Sequence, residues 1–406
     1  MTYTAIKIKL YPTEKQKELI DINFSCCRKV WNTLLAELTE RNDNGRLVLK
    51  SEYDFKKGGK LPSRFDLIKK LPPMKKEFPY LKKADSMALQ SEATNLRRAF
   101  DNWKNPNIKS SFPRFKRWQV NDDTYTTLAV YNKGLGSIRI LSRNYIMIPK
   151  LKAVNFRCDV PINDHIVNLT VNLTNTNEYF ASVIVDKDIT EFNKTQQSIG
   201  IDLGVADMAI LSNGKKYKTV DYGNQYSKRL RIWERKLARR RAEMKKEIAF
   251  NKKNDIEGGR LWFSEFPNYQ KARIQVAKYK KKAMLQRQYR LQWISTEIVK
   301  QYDVIVIEDL STKNMLENHR LAKAISKQGW RVFRDMLQYK CDQYGKQLVV
   351  INPYKTSQIC PNCGYDDGKH SLNIREWICP SCGITHDRDV AGAQMILKKG
   401  LEKLNK

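Results

Sequence analysis

Two cysteine pairs constrain this chain's architecture more than any other stretch of it. Cys360 and Cys363, then Cys379 and Cys382, form C-x2-C-x15-C-x2-C, a spacing with which four thiolates close a tetrahedral zinc site. Four protein ligands leave no open position, so the expected Zn²⁺ is structural and pins a knuckle with too few apolar residues to fold unaided. His370 and His386 lie nearby, but a complete thiolate set needs neither. Thiols paired in this way suit a metal in a reducing compartment better than disulfides. The opening MTYTAIKIKL does not resemble a signal peptide, and no apolar run approaches the length of a membrane span, so a cytoplasmic, non-membrane protein is expected.

The knuckle interrupts an α/β pattern. SIGIDLGVADMAILSNGKKYKTV reads as an antiparallel meander, with a strand around Asp202, a second at Met208 to Leu211, a turn at Asn213-Gly214, and a third strand. VIVIEDL, residues 304 to 310, is a short apolar run rich in β-branched residues, as in a strand buried on both faces. A helix near 321 to 344, the strand QLVVI and a last helix from about 388 to 404 follow. Meander, helices, strand, helix, strand, helix is the order of an RNase H-like α/β domain.

The N-terminal half reads differently. Ile6, Ile8 and Leu10 alternate as in a half-buried strand that Pro12 ends. Thr13 and Gln16 then stand at capping-box spacing ahead of a helix whose stripe is Ile20, Phe24, Cys27, Trp31, Leu34 and Leu38. Residues 84 to 103 read as another helix, and the short alternating segments of 120 to 190 predict a β-rich barrel or sandwich.

Charge narrows the partners. Lys and Arg outnumber Asp and Glu by 75 to 43, a formal charge of +32, which favours polyanions, nucleic acid first, over a merely basic ribosomal or membrane-surface protein. SSFPRFKRW interleaves Arg114, Lys116 and Arg117 with aromatic rings, which suits either a nucleic-acid surface or a loop anchored by its rings. A basic helix over Ser227 to Glu247, carrying Arg239 and Arg240, and a second over Gln270 to Arg290 would form a positively charged channel wall if they flank the β core.

Against that background a few acids stand out. Asp202 lies inside an apolar strand with Gly200 and Gly204 on its face, which leaves room for something to approach the backbone. Glu308 ends the buried run VIVIEDL, where an unpaired charge is costly. On the last helix Asp389 falls on the inward stripe of Ala393, Ile396, Leu397, Leu401 and Leu404, whereas Asp387 points away or caps the helix. Arg or Lys partners could satisfy each acid singly. In the RNase H-like order, however, Asp202, Glu308 and Asp389 would converge. Two Mg²⁺ ions held there roughly 4 Å apart can activate a water and stabilise the leaving oxygen of a phosphodiester.

The chain resembles the TnpB (OrfB) family of insertion-sequence proteins, relatives of the type V CRISPR effectors. The resemblance is carried by GIDLGV at 200–205, VIEDL at 306–310, RLAKAISKQGW at 320–330, TSQICPNCG at 356–364 and CPSCGITHDRD at 379–389. LYPT at 10–13 and FPRFKR at 112–117 extend it over nearly the whole chain. It implies an RNA-guided DNA endonuclease with a RuvC-type site of Asp202, Glu308 and Asp389. Its partners would be a guide RNA from the transposon end and duplex target DNA bearing a short adjacent motif, with guide pairing supplying the sequence specificity.

The architecture implied is a split wedge β-barrel (1–12 and 110–195), a helical recognition domain (13–109), a split RuvC domain (196–355 and 384–406) and a zinc-ribbon insertion (356–383), in a chain expected to be monomeric. Gln90, in the segment matching the family's ALQ helix, would contact the adjacent-motif duplex. One departure stands out: the family usually continues D-x-N-A-A after the second aspartate of DRD, and this chain has Val390, Ala391, Gly392 and Ala393. The competing readings are a guide-directed DNA-binding repressor that no longer cuts and a strand-transfer transposase that joins transposon ends.

Overall fold

In the computed structural model, which describes residues 2–117, 123–162, 165–187, 191–310, 322, 325, 328–368 and 374–405, the chain divides into two units, Met1–Asp188 and Ile189–Lys406. Three expectations fall partly or wholly outside the described residues: His370, Trp118 of SSFPRFKRW, and most of RLAKAISKQGW together with the helix start near 321. Among the described residues no helix is long and apolar enough to cross a membrane.

In the first unit the alternation of Ile6, Ile8 and Leu10 becomes strand β1 (Thr2–Tyr11), with Ile8 and Leu10 buried. Helix α1 (Glu14–Leu38) follows behind the capping box: Gln16 N–H donates to Thr13 Oγ1 and Thr13 N–H to Gln16 Oε1, at 3.4 and 3.0 Å. Its predicted stripe is buried throughout. Helix α2 (Ser86–Lys104) is capped by Asp85, whose carboxylate accepts from Met87 N–H and from the Thr127 hydroxyl. The β-rich segment supplies β2 (Asp123–Leu128), β3 (Arg139–Ser142), β4 (Tyr145–Ile148), β5 (Lys152–Arg157), β6 (His165–Leu173) and β7 (Tyr179–Lys187). They form one seven-stranded sheet in the order β2-β6-β7-β1-β5-β4-β3. The first strand of the chain therefore lies in the middle, paired antiparallel with β7 from Thr2↔Lys187 to Leu10↔Tyr179.

The second unit is built on a five-stranded sheet. The meander gives β8 (Ser198–Asp202), β9 (Asp207–Leu211) and β10 (Lys216–Lys218). Helices α3 (Ser227–Lys253) and α4 (Pro267–Gln301) lead to β11 (Val304–Glu308). Helix α5 (Trp330–Tyr344), β12 (Gln347–Ile351), a small hairpin of β13 (Glu376–Ile378) and β14 (Thr385–Asp387), and helix α6 (Arg388–Leu404) complete it. The sheet order is β10-β9-β8-β11-β12, with β9 antiparallel to β8 and both β11 and β12 parallel to its direction.

Side-chain alternation divides the two faces. Ile199, Ile201, Ile305 and Ile307 pack with Leu291, Ile294 and Ile298 of α4 and with Phe333 and Leu337 of α5. Val306, Val349 and Ile351 pack with Ile396 of α6 on the other side.

The two basic helices pair with each other: Arg240 Nη1 donates to Asn268 C=O at 2.6 Å, and Lys280 lies 2.9 Å from Glu234. One expectation is corrected on the last helix. On α6, Leu401 is exposed and Gly400 takes the inward position instead. A Cβ at 400 would lie 2.3 Å from Val306 Cγ1, so the strand's valine fills the space a helix side chain would need.

Candidate metal centres

The carboxylates are placed by register. Strands β8 and β11 run parallel with Gly200 opposite Val306 and Ile201 opposite Ile307, so Asp202 and Glu308 are the next pair along. Val306, two residues before Glu308, faces α6; by alternation Glu308 does too, and Gly200 and Asp202 share that face. Both acids stand at carboxyl ends of neighbouring parallel strands, where the chain order turns back, β9 to one side and β12 to the other. In open α/β sheets that is where ligands bind.

Helix α6 is brought against them by a glycine. A Cβ on Gly200 would come 2.1 Å from Ala393 C=O, closer than any side chain can approach a backbone. The thing for which Gly200 leaves room is the last helix. Gly204 does something else, since its nearest neighbour is Asp207 C=O at the start of β9. Asp387 caps α6, accepting from Asp389 N–H at 3.0 Å and Val390 N–H at 3.1 Å, and pairs with Lys216 at 2.6 Å. Asp389 follows in the first turn. One turn on, Gly392 lies over the first acid, where an added Cβ would be 3.4 Å from Asp202 Oδ2.

The electrostatics follow from this crowding. Burial, then the charges of Glu308 and Asp389, push the Asp202 carboxyl up to about 7, against the pull of Leu203 N–H and Arg388. Burial also raises Glu308, opposed by a hydrogen bond from the Thr356 hydroxyl and by Lys399. Among the described residues neither acid has an ion-pair partner, whereas Asp389 accepts from Arg375 Nη1 at 3.0 Å. The arginine side chain is 63% exposed. The charges of Glu308 and Asp389 both reach Asp202. Among the described residues the cysteine quartet is the sole group of three or more candidate ligands whose atoms all lie within 4.8 Å of one another.

That quartet is built from two matching turns. In CPNCG, Gly364 N–H donates to Cys360 C=O with Gly364 at φ 80°; in CPSCG, Gly383 N–H donates to Cys379 C=O with Gly383 at φ 70°. The left-handed glycine reverses the chain so that both sulfurs of each pair face inward. Sγ of Cys360 lies 3.8 Å from that of Cys382, and Sγ of Cys363 lies 3.6 Å from that of Cys379. Sulfurs bound to one tetrahedral metal stand about 3.8 Å apart, so the donor set fits a metal ion. The Tyr365 N–H pulls Cys363 down to about 7, whereas burial pushes Cys360 up to about 11.

His386 is buried, not a surface residue. Its Nε2 is 3.1 Å from Cys360 Sγ and its ring leans on Trp377. Position 386 is on β14, which runs straight into the Asp387 cap, and Arg388 N–H donates to Arg375 C=O. The knuckle therefore holds the start of α6.

Three family profiles match: one described as "Probable transposase" over residues 181–319, one as "Cas12f1-like, TNB domain" over 330–396 and one as "Helix-turn-helix domain" over 1–46. The first two span Asp202, Glu308, the quartet and Asp389. A "Putative RNA-guided DNA endonuclease" of Streptomyces pristinaespiralis is 29% identical over 98% of this chain and 89% of its own length. The "Putative RNA-guided DNA endonuclease InsQ" of Escherichia coli (strain K12) is 27% identical over 98% and 92%. The chain belongs to the TnpB (OrfB) family. A solved structure described as the mini-RNA-guided endonuclease CRISPR-Cas_phi3 overlies it with a TM-score of 0.47 and 10% identity over 98% of this chain and 92% of that one.

Within this TnpB-family chain, residues 1–46 fold as β1 and the single helix α1 followed by a short strand, Thr39–Arg41, rather than as two helices around a turn. The family's Asn position is Ala391, buried on α6, and Gly392 beside it faces Asp202.

The candidate nucleic-acid residues meet different fates. Arg114 and Arg117 are exposed, and Gln90 is half-buried on α2. Lys116 is a clamp: its Nζ pairs with the buried Glu92 and lies over the Trp31 ring, while Asn32 hydrogen-bonds both its N–H and its C=O. Arg239 stands exposed, 3.7 Å from Glu243, and Arg240 ties α3 to α4. Tyr289 and Trp293, 77% and 53% exposed on α4, went unnoticed in the sequence. Their four-residue spacing in YRLQW among basic residues was the available signal.

Proposed function

We propose that this chain is an RNA-guided DNA endonuclease that uses a guide RNA to select duplex DNA bearing an adjacent motif and hydrolyses it at a RuvC-type site. The observation that carries the reading is Asp202 beside Glu308 at the carboxyl ends of parallel strands, Glu308 buried and Asp202 half-buried, neither in an ion pair among the described residues, with Asp389 in the first turn of α6. Hard carboxylate oxygens in such a place fit Mg²⁺. When bound, a pair of such ions supplies an activated water and stabilises the leaving oxygen. The protein's part is positional. Asp202 and Glu308 are fixed by the sheet, Thr356 orients Glu308, and Asp387 holds the helix turn that presents Asp389. The basic residues outside the site would retain the strands.

The quartet Cys360, Cys363, Cys379 and Cys382 is assigned to structural Zn²⁺, closed to catalysis because all four positions come from protein. The wedge (1–12 and 110–195), recognition (13–109), RuvC (196–355 and 384–406) and zinc-ribbon (356–383) divisions belong to the same proposal. So do contacts to nucleic acid from Gln90, Arg114, Arg117 and Arg239.

A second reading, a guide-directed repressor, is favoured by one observation: Arg375 already occupies Asp389. Incubating the protein–guide RNA complex with a plasmid carrying target and adjacent motif, in Mg²⁺ or EDTA, separates the two. Cutting in Mg²⁺ that Asp389→Ala abolishes supports the nuclease. Binding without cutting, identical in wild type and variant, selects the repressor.

A further inference from the structure

A cavity beside the loop that follows β10 has no role in the account above. The loop after β10 is fastened to the segment just beyond Asp202: Thr219 Oγ1 donates to Val205 C=O at 2.9 Å and Thr219 N–H to Ala206 C=O at 3.1 Å. Gln328 Nε2 donates to the same Val205 carbonyl at 3.0 Å. From Val220 onward this loop, the start of α3 and the middle of α4 enclose about 220 Å³. That is smaller than a typical drug-sized pocket and suits a single planar ring system.

Its walls include the rings of Tyr222, Tyr226 and Tyr279 and the thioether of Met284; Arg287 and the Glu234-paired Lys280 bring positive charge to it, and Asp221 a carboxylate at the loop end. Tyr226 and Tyr279 stand 6.1 Å apart at 44°, an open wedge rather than a closed stack. The Tyr226 hydroxyl is held by Gln286. Aromatic faces with flanking cations take a nucleobase and its phosphate whatever the base. A purely structural gap would be lined by buried side chains, yet all three tyrosines keep solvent contact.

Resting on the nuclease reading, we infer that this cavity binds one unpaired nucleobase of the strand whose backbone crosses Asp202, Glu308 and Asp389. Docking that base sets which phosphate reaches the carboxylates. A base paired in a duplex cannot enter, so the site acts on strand already opened by the guide.

The test uses the protein–guide RNA complex and targets with one abasic nucleotide walked through the cut region. In Mg²⁺ the wild type should be slowed at least tenfold by the abasic unit at one position, Tyr226→Phe should behave alike, and Tyr226→Ala should be slow on the intact target and indifferent to that unit. In Ca²⁺, 2-aminopurine at the same position should be quenched on binding by wild type and Tyr226→Phe but not by Tyr226→Ala. A cut target equally tolerant of abasic units everywhere, or quenching unchanged in Tyr226→Ala, overturns the pocket and leaves the nuclease standing. An intact target never cut by the wild type counts against the nuclease instead, and the fluorescence arm still decides whether a base docks.

Discussion

The four thiols and the three carboxylates are both candidate ligand sets scattered in sequence and gathered by folding, but they are gathered to different degrees. The sulfurs close to within 4.8 Å of one another; the carboxylates do not. Charge explains the difference. Thiols bring no net charge while they keep their protons, so a hydrophobic bed such as Trp377 and two glycine turns suffice to collect them. Carboxylates at neighbouring strand ends repel each other and lose water, and the cost appears as Asp202 pushed up to about 7. On the proposed reading, one set is a closed site complete within the protein, and the other is an open site that cations would draw together.

The strongest way to break this comparison is Asp202→Asn. In the guide-loaded complex it should lower cleavage by on the order of 10³-fold while target binding, read by gel shift, stays within about twofold. Near-normal cutting would mean that the open site is not where hydrolysis occurs.

Cys379→Ser probes the closed site. The variant should lose its bound metal, measured by elemental analysis, and cut roughly 10- to 100-fold more slowly, because β14 no longer delivers the Asp387 cap to α6. Full metal content with full activity would detach the knuckle from the carboxylates.

The same asparagine variant makes a stability prediction of opposite sign. Because the folded value of Asp202 lies at about 7, above an ordinary unfolded value of about 3.9, the native state holds a proton that the unfolded chain has released between them. Wild-type stability in EDTA should therefore fall as pH rises from about 4 to about 7, and Asp202→Asn should remove that slope, gaining roughly 2 kcal/mol at pH 8. Urea unfolding at pH 5 and pH 8 reads it, with Mg²⁺ stabilising only the wild type. A variant less stable than wild type at pH 8 would show that the carboxylate is satisfied by the protein alone.

The smallest effect belongs to Arg375→Ala. Its guanidinium is largely exposed, so its hold on Asp389 is worth at most about 1 kcal/mol. The Mg²⁺ concentration for half-maximal cleavage should drop by about two- to fivefold, and a rise would show Arg375 to be a support rather than a competitor.

Much of this was legible because it depends on local periodicity. The helix period separates Asp389 from Asp387, the strand period puts Gly200 and Asp202 on one face, and cysteine spacing predicts a quartet. What could not be read depends on residues far apart in sequence. Lys116 looks like a nucleic-acid contact until Glu92 is folded beneath it. Leu401 looks inward until Val306 is seen occupying the place opposite Gly400. Nothing in the pattern of Arg375 says that it reaches Asp389, or that the His386 ring, dispensable as a ligand, buttresses Cys360.

Gly200 and Gly400 have one more implication. Each stands where α6 and the sheet meet too closely for a methyl group, so the interval between the helix-borne acid and the strand-borne ones is set by main-chain thickness. A chain that keeps all three acids but carries alanine at either glycine would own every proposed metal ligand and hold them at the wrong spacing. Inventories of catalytic residues would therefore overcount working enzymes among its kin.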